Sequence, residues 1–155
     1  MPDASVNFSP ADSLLDALPC GLVQLDAEDR VVQWNELMQR WTGFAFEVVR
    51  GRALIAIYPN DERLGSFIAT ARATPQPQVR AQLFHPWLIP VPLHADHISG
   101  FSEMQQECHV RLLNDPPGHL VITILDVTAA AVAQQRSRAQ YAEISTARDR
   151  AESAF

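Results

Sequence analysis

A stretch without a single helix breaker closes the sequence. From Thr128 to Phe155 the chain contains neither glycine nor proline and is made of helix formers. The part before this stretch is divided by proline and glycine into short segments. The sequence therefore predicts one long terminal helix that follows a domain of short helices and strands.

The terminal stretch carries a heptad seam that is apolar at its ends and polar in its middle. The seam consists of Val127, Ala130, Gln134, Ser137, Tyr141, Ile144, Arg148, Ala151 and Phe155. Such a pattern favours weak self-association as a coiled coil, and therefore a homodimer. The alternative is a lone amphipathic helix that packs back on the rest of the domain.

The size of the chain indicates a single domain with an appended helix. With 155 residues, 47% of them apolar, the chain can bury one core. We expect an N-terminal tail over residues 1–12, a domain over residues 13–128 and a helical linker over residues 129–155. The linker would lead to an output domain beyond residue 155.

Charge, hydropathy and cysteine usage indicate which partners and which compartment suit this chain. The formal net charge is −6, and no Lys/Arg cluster is dense enough to neutralise a run of phosphates, which disfavours nucleic acid and anionic membranes. No apolar run approaches the roughly 20 residues that span a bilayer, and the first residues are neither basic nor apolar. Cys20 and Cys108 are far apart in the sequence and form no metal-binding or redox pair, so we interpret them as two buried free thiols. We therefore expect a cytoplasmic protein.

The first segment of the domain predicts a short amphipathic helix. Leu14, Leu15 and Leu18 follow each other at helical spacing, behind a capping residue at Ser9 or Ser13. Pro19, which follows at once, would end the helix.

A hairpin and several short helices are predicted next. Two strands surround a turn at residues 26–29, and Asn35 then caps a helix that Gly43 ends with a positive φ. Another helical turn closes at Gly51, and Asp61 caps a longer helix.

The remaining part of the domain is predicted to be mostly strand. We expect strands over Val79–Phe84, Glu103–Leu113 and His119–Val127, the last two joined by a turn at "NDPPG". Residues 85–101, "HPWLIPVPLHADHISGF", are too rich in proline for a central strand. The apolar part around Trp87 should be buried, either over a pocket or in a dimer contact.

This order of elements resembles the PAS sensor domain of bacterial signalling proteins. The resemblance covers about residues 13–130 and is carried by "LLDALPCGLVQLDAEDRVVQWNELMQRWTGF", "EVVRGRAL" and "ITILDVTA". It implies an α+β fold with a five-stranded antiparallel sheet in the order 2-1-5-4-3. Short helices would cover one face and enclose a pocket, with an N-terminal helix and a long C-terminal signalling helix.

The resemblance also implies roles for particular residues. Asn35, Gly43 and Gly51 match structural positions of the PAS motif, where they shape the helical wall of the pocket. The triplet Asp126-Val127-Thr128 matches the junction between the last strand and the signalling helix, where a side-chain bond from Asp126 would tie the sheet to the helix. A simpler interpretation is that Asp126 and Thr128 cap the helix.

The PAS architecture suggests a set of inward-facing side chains that would bind a ligand. These candidate pocket residues are Trp41, Leu54, Ile57, Phe67, Ile68 and His109. An ordinary filled core is the alternative, because apolar side chains at helical spacing usually pack against each other.

The cofactor is unknown, and the two best-known PAS cofactors are disfavoured. Flavin-binding members carry an Asn-Cys-Arg-Phe motif in the segment after the position of Gly51. In this chain the segment from Gly51 reads "GRALIAIYP", which lacks that motif. Haem-binding members take a histidine from the long helix of the domain, and residues 61–73 contain none. His109 on a strand leaves haem as an open option.

Catalytic and metal motifs give little support for an enzyme. The sequence has no GxSxG, HExxH, phosphate-binding or dinucleotide-binding motif. His85, His94, Asp96 and His97 could supply a zinc site, but their spacing fits no standard metal pattern, so no metal is predicted.

We therefore expect a sensory module in two-component or cyclic-di-GMP signalling. It would detect a small ligand or partner and act on an output domain, a diguanylate cyclase in preference to a histidine kinase, through a dimeric helix. The alternatives are a PAS dimerisation module with a filled pocket and a metal-dependent sensor.

Overall fold

The computed structural model describes residues 10–94 and 100–154. In that part of the chain the helices are α1 (Pro10–Ala17), α2 (Glu36–Thr42), α3 (Phe46–Val49), α4 (Leu54–Ile57), α5 (Glu62–Ala73) and α6 (Thr128–Ser153). The strands are β1 (Gly21–Leu25), β2 (Val31–Trp34), β3 (Gln78–Arg80), β4 (Gln106–Leu112) and β5 (Leu120–Asp126).

The strands form one antiparallel sheet in the order β2-β1-β5-β4-β3, which confirms the predicted topology. Burial alternates along β4, where Gln106, Cys108 and Val110 are buried and the residues between them are not. The buried face packs with the helices, and we term it the helix-covered face of the sheet. The opposite face carries the intervening residues of each strand.

One apolar cluster joins the helix-covered face to the helices. Its strand residues include Val23, Leu25, Ile122 and Ile124, and its helical residues are Met38, Val49, Leu54, Leu64, Ile68 and Ala71. Leu64, Ile68 and Ala71 form the buried face of α5, and the partly buried Phe67 packs against the same cluster.

Arg72 ties the end of α5 to the two hairpin turns. Its guanidinium donates hydrogen bonds to Asp29 Oδ1 (2.7 Å), to the Gly118 carbonyl (2.6 Å) and to the Asp26 carbonyl (2.6 Å). The helix therefore cannot shift along the sheet without breaking these contacts.

The caps of α2 and α5 are as predicted. Asn35 Oδ1 accepts a hydrogen bond from the Met38 N–H, and Gly43 ends α2 with φ = 75°. Gly51 likewise has a positive φ of 74°. Asp61 Oδ1 accepts hydrogen bonds from two N–H groups in the first turn of α5.

Two predicted elements differ from the structure. β3 ends at Arg80 rather than Phe84, because the chain turns there and the His85 N–H donates back to the Ala81 carbonyl. β4 begins at Gln106 rather than Glu103, because the Met104 N–H pairs with the Val91 carbonyl of the proline-rich segment.

The first helix is present as predicted, but its start and the exposure of its leucines differ from a capped, buried helix. α1 begins at Pro10, so Ser13 lies inside the helix and does not cap it, while Ser9 lies outside the described residues. None of its residues is buried, and Leu14 is 70% exposed. The three leucines therefore do not form a buried stripe within this chain.

The terminal helix follows the prediction, since α6 runs without interruption over 26 residues. Thr128 and Ala131 are buried at its start, whereas every side chain from residue 133 to residue 153 is exposed. The alternative of a helix packed along its length on the sheet is therefore wrong. Among the described residues, no helix is long and apolar enough to cross a membrane.

Gly21 allows α2 to lie close to β1. A Cβ atom at this position would lie 2.5 Å from Met38 Sδ and 2.7 Å from Trp41 Cζ3. Gly21→Ala should lower the free energy of unfolding by about 1–3 kcal/mol, because the buried Met38 and the partly buried Trp41 must move. Urea unfolding followed by tryptophan fluorescence measures this loss.

Gly65→Ala is the matched control, since a Cβ there meets nothing within 4 Å and the residue lies inside α5. It should stabilise the protein by about 1 kcal/mol through helix propensity. Equal losses in the two variants would contradict the close approach at Gly21.

Candidate functional site

The predicted pocket residues divide into two groups. Leu54 and Ile68 are buried inside the apolar cluster, and Trp41, Ile57 and Phe67 pack against it. The structure therefore brings five of the six candidates to the helix-covered face. Their role in ligand binding stays a prediction.

His109 does not join them. It pairs across the sheet with Val79 and Thr123, and it alternates with the buried Cys108 and Val110, so its side chain lies on the opposite face. Its Nε2 is 2.8 Å from Glu107 Oε1, two residues earlier on the same face. The expectation that His109 faces inward was wrong, because His109 alternates with the buried Cys108 and Val110 along β4.

Asn35 connects three segments of the helical wall. Its Oδ1 accepts hydrogen bonds from the N–H groups of Leu22 (3.0 Å) and Met38 (3.3 Å). Its Nδ2 donates to the carbonyls of Leu15 (3.0 Å) and Cys20 (2.9 Å). All four hydrogen-bonding positions of this buried amide are used, which supports the structural role implied for Asn35.

The junction of β5 and α6 contains the predicted side-chain bond. Asp126 Oδ1 accepts hydrogen bonds from the N–H (3.0 Å) and the hydroxyl (2.6 Å) of Thr128. Thr128 Oγ1 accepts one from the Gln105 N–H (3.0 Å), and the Val127 N–H donates to the Gln105 carbonyl (2.8 Å). The start of α6 is therefore fixed to the residue just before β4, and the transmission role of Asp126, Val127 and Thr128 stays a prediction.

Gln106 fixes the proline-rich segment, a role that the sequence analysis missed. Its Oε1 accepts hydrogen bonds from the N–H groups of Leu88 (3.0 Å) and Ile89 (3.2 Å), and its Nε2 donates to the Ile89 carbonyl (2.6 Å). Leu88, Ile89 and Val91 are buried, which confirms the expected burial of this segment. The sequence carried one signal of this role, since Gln106 alternates with Cys108 and Val110 and therefore lies on the same face of the strand.

Gln105 joins the same region to the junction. The Gln82 Nε2 donates to Gln105 Oε1 at 2.7 Å, while the Gln105 backbone bonds Val127 and Thr128. One buried residue thus connects the segment after β3 to the first turn of α6.

A cleft of about 760 Å³ lies between α5, β3 and the segment that follows β3. Its lining consists of Glu62, Arg63, Ser66, Phe67, Thr70, Gln78, Val79, Arg80, Ala81, Phe84 and His85. Phe67 is the one predicted pocket residue in this lining. We term this feature the α5–β3 cleft.

Arg80 differs from the other lining residues of the α5–β3 cleft because its guanidinium is partly buried and one of its N–H groups lacks a partner in the part of the chain that the structure describes. It pairs across the sheet with buried Cys108, so it extends to the helix-covered face, and its Cζ lies 5.4 Å from the centroid of the Phe67 ring. Its Nη2 is 3.0 Å from His85 Nδ1. Its Nε is buried and has no hydrogen-bond partner among the described residues. Burial lowers the pKa of the Arg80 guanidinium.

The two cysteines are free and buried, as expected. Burial raises the pKa of the Cys108 thiol to about 12 despite the opposing charge of Arg80. Cys108 is therefore a neutral thiol at physiological pH and does not supply the negative charge that Arg80 lacks.

The histidine-rich segment offers no metal site within the residues that the structure describes. His85 and His94 are exposed, whereas Asp96 and His97 lie outside the described residues. No three His, Cys, Asp or Glu side chains in residues 10–94 and 100–154 are grouped closely enough to hold a metal ion.

The comparisons with known proteins agree with this architecture. A family profile described as PAS fold matches residues 11–82. A sensory box sensor histidine kinase from Vibrio cholerae is 21% identical, with a TM-score of 0.53 over 76% of this chain and 89% of that one. The PAS domain of histidine kinase ThkA is 18% identical, with a TM-score of 0.51 over 70% and 100%.

An RNA-binding light-oxygen-voltage receptor is 19% identical, with a TM-score of 0.59 over 94% of this chain and 41% of that one. No curated protein matches the sequence. The sheet order and the helices on one face define an α+β architecture of the PAS class. The described chain has the PAS fold.

Proposed function

We propose that this PAS domain detects a small ligand or partner and transmits the change through a dimeric α6 to an output domain. The observation that carries the proposal is the exposure of α6, since no side chain between residues 133 and 153 is buried in the described chain. Isolated helices gain most of their stability from tertiary packing, which a second copy of α6 would supply. The cytoplasmic location expected from the sequence belongs to this proposal.

The hydrogen bonds at the start of α6 support a transmission role. Thr128 is held by Gln105 and Asp126, and Gln105 is held in turn by Gln82. A ligand that favours one arrangement of these segments would bias the position of α6 by its differential affinity for the two states.

A diguanylate cyclase and a histidine kinase are the two candidate outputs. The resemblance of "FHPWLIPVPL" to PAS modules placed ahead of cyclases favours the first. The likeness to PAS domains from histidine kinases keeps the second as the alternative.

The dimer is tested by charge placed on the heptad seam. Ile144 is 65% exposed and lies on the seam, whereas Ala139 lies on the opposite side of α6. Ile144→Glu should raise the dimer dissociation constant at least about tenfold, which corresponds to about 1.4 kcal/mol. Native mass spectrometry over a concentration series measures this change.

Ala139→Glu adds the same charge outside the seam and should leave the dimer intact. A parent protein that stays monomeric at every concentration would overturn the proposal. So would equal dissociation by the two variants, because the seam would then have no special part in association.

A PAS dimerisation module with a filled pocket is the second candidate. The complete burial of Leu54 and Ile68 in the apolar cluster favours it. Native mass spectrometry of the purified dimer, followed by denaturation, separates the two candidates. Release of a stoichiometric small molecule supports sensing, whereas an empty dimer favours the dimerisation module.

A further inference from the structure

The α5–β3 cleft has the size of a small-molecule site and an unbalanced charge. Its volume of about 760 Å³ falls within the usual range for ligand pockets. Arg63 and Arg80 contribute two guanidinium groups to the lining, and Glu62 contributes one carboxylate. Among the lining residues the guanidinium groups thus outnumber the carboxylates by one, and Asp61, 3.9 Å from Arg63, lies just outside the lining.

The surplus charge is centred on Arg80. Within the described residues Arg80 forms no ion pair, and Arg63 has only a 3.9 Å contact with Asp61. A partly buried guanidinium without a carboxylate is costly, and the unpartnered Nε adds to this cost. Because the Nε is closed off from solvent, an anion in the cleft would bond the guanidinium through its Nη groups and supply the missing negative charge.

Both guanidinium groups make cation–π contacts with aromatic rings. Arg80 lies over the Phe67 ring at 5.4 Å, and Arg63 lies over the Trp87 ring at 5.5 Å. A cation–π contact does not use the N–H groups, so the exposed N–H groups of each guanidinium can still bond an acceptor.

The remaining lining favours an apolar ligand body. Phe84, a large apolar residue that borders the cleft, is 77% exposed. A flat ring placed between Phe84 and Phe67 would cover part of this surface. A singly charged carboxylate matches the single surplus charge, whereas a phosphate dianion would leave one negative charge unpaired.

We propose that the α5–β3 cleft binds a small aromatic monocarboxylate, with the carboxylate on the N–H edge of Arg80 and the ring against Phe67 and Phe84. The site rests on the proposed sensory function and gives it a ligand class. Gln82 follows lining residue Ala81 and bonds Gln105, so an occupied cleft lies next to the hydrogen bonds that fix α6.

The probe pair is indole-3-acetate and indole-3-acetamide, which have the same shape and differ in charge. Titration of the 155-residue chain, followed by isothermal calorimetry and by NMR shifts, should give saturable binding of the acid. The amide should bind at least about tenfold more weakly, because charge-assisted hydrogen bonds are about twice as strong as neutral ones. Arg80→Gln should weaken binding of the acid at least about tenfold.

Arg136→Gln on the exposed part of α6 is the matched control and should bind the acid like the parent. Arg63→Gln, on the exposed surface of α5, keeps the test valid if Arg80→Gln does not fold, and it should weaken binding about threefold or more. Equal affinity for acid and amide would overturn the site, as would no saturation by the acid at about 5 mM.

Failure of this site is distinguishable from failure of the proposed function. Ile144→Glu should still bind the acid, because the seam is remote from the cleft in the chain. The protein could bind the acid while neither the ligand nor a charge on the seam changes its dimerisation. That result would support the cleft as a binding site and contradict the proposed function. A seam-dependent dimer that treats acid and amide alike would overturn the site alone.

Discussion

Asn35→Ala should be among the most destabilising single substitutions in this domain. Asn35 is 3% exposed, and its amide satisfies two N–H groups and two carbonyls from different segments. Truncation leaves several of these groups buried without partners and removes the cap of α2. The expected loss in the free energy of unfolding is about 2–4 kcal/mol, measured by urea unfolding with circular dichroism.

Two further variants separate the cap from the rest of the network. Asn35→Ser keeps an oxygen for the first turn of α2 and should recover about 1 kcal/mol relative to alanine. Asn114→Ala, in the exposed turn between β4 and β5, should change stability by less than about 0.5 kcal/mol. A loss at Asn35 no larger than at Asn114 would show that the four hydrogen bonds have no net effect.

Gln106→Leu should release the proline-rich segment from the sheet. Gln106 is 1% exposed and makes three hydrogen bonds to Leu88 and Ile89. A leucine of similar volume leaves two N–H groups and one carbonyl buried without partners. We expect a loss of about 2–4 kcal/mol. Hydrogen exchange at the Leu88 and Ile89 amides should become at least about tenfold faster, as expected of local opening.

Gln76→Leu provides the control, since Gln76 is exposed in the loop between α5 and β3. It should leave both stability and hydrogen exchange at residues 86–91 unchanged. If exchange in the Gln106→Leu protein rises uniformly across the sheet, Gln106 supports the whole domain rather than this segment. Unchanged exchange at Leu88 and Ile89 would contradict its role altogether.

Local chemistry in the sequence was sufficient for much of the fold. Asn35, Gly43 and Asp61 gave correct helix boundaries because capping depends on the nearest few residues. The sheet order required the resemblance to PAS domains, since strand pairing between distant segments has no local signal. The length of α6 followed from the absence of glycine and proline after Thr128.

The candidate site was less predictable because it depends on contacts between distant residues. His109 was assigned to the inward-facing set from the PAS architecture, although its alternation with Cys108 and Val110 places it on the opposite face of β4. The buried roles of Gln105 and Gln106 were not predicted, because glutamine usually lies on the protein surface. Arg80 was missed because its stacking on Phe67 and its lack of an acceptor arise only when β3 meets α5.

The straight, exposed α6 also has a mechanical consequence. At 1.5 Å per residue its 26 residues form a rod of about 39 Å, attached to the domain only near Thr128. A rigid rod is a lever, so a tilt of about 5° at Thr128 displaces its far end by about 3 Å. A displacement at the hydrogen bonds of Gln105 can be too small to alter the core. It would still be larger at the far end of α6, where the helix meets its neighbour.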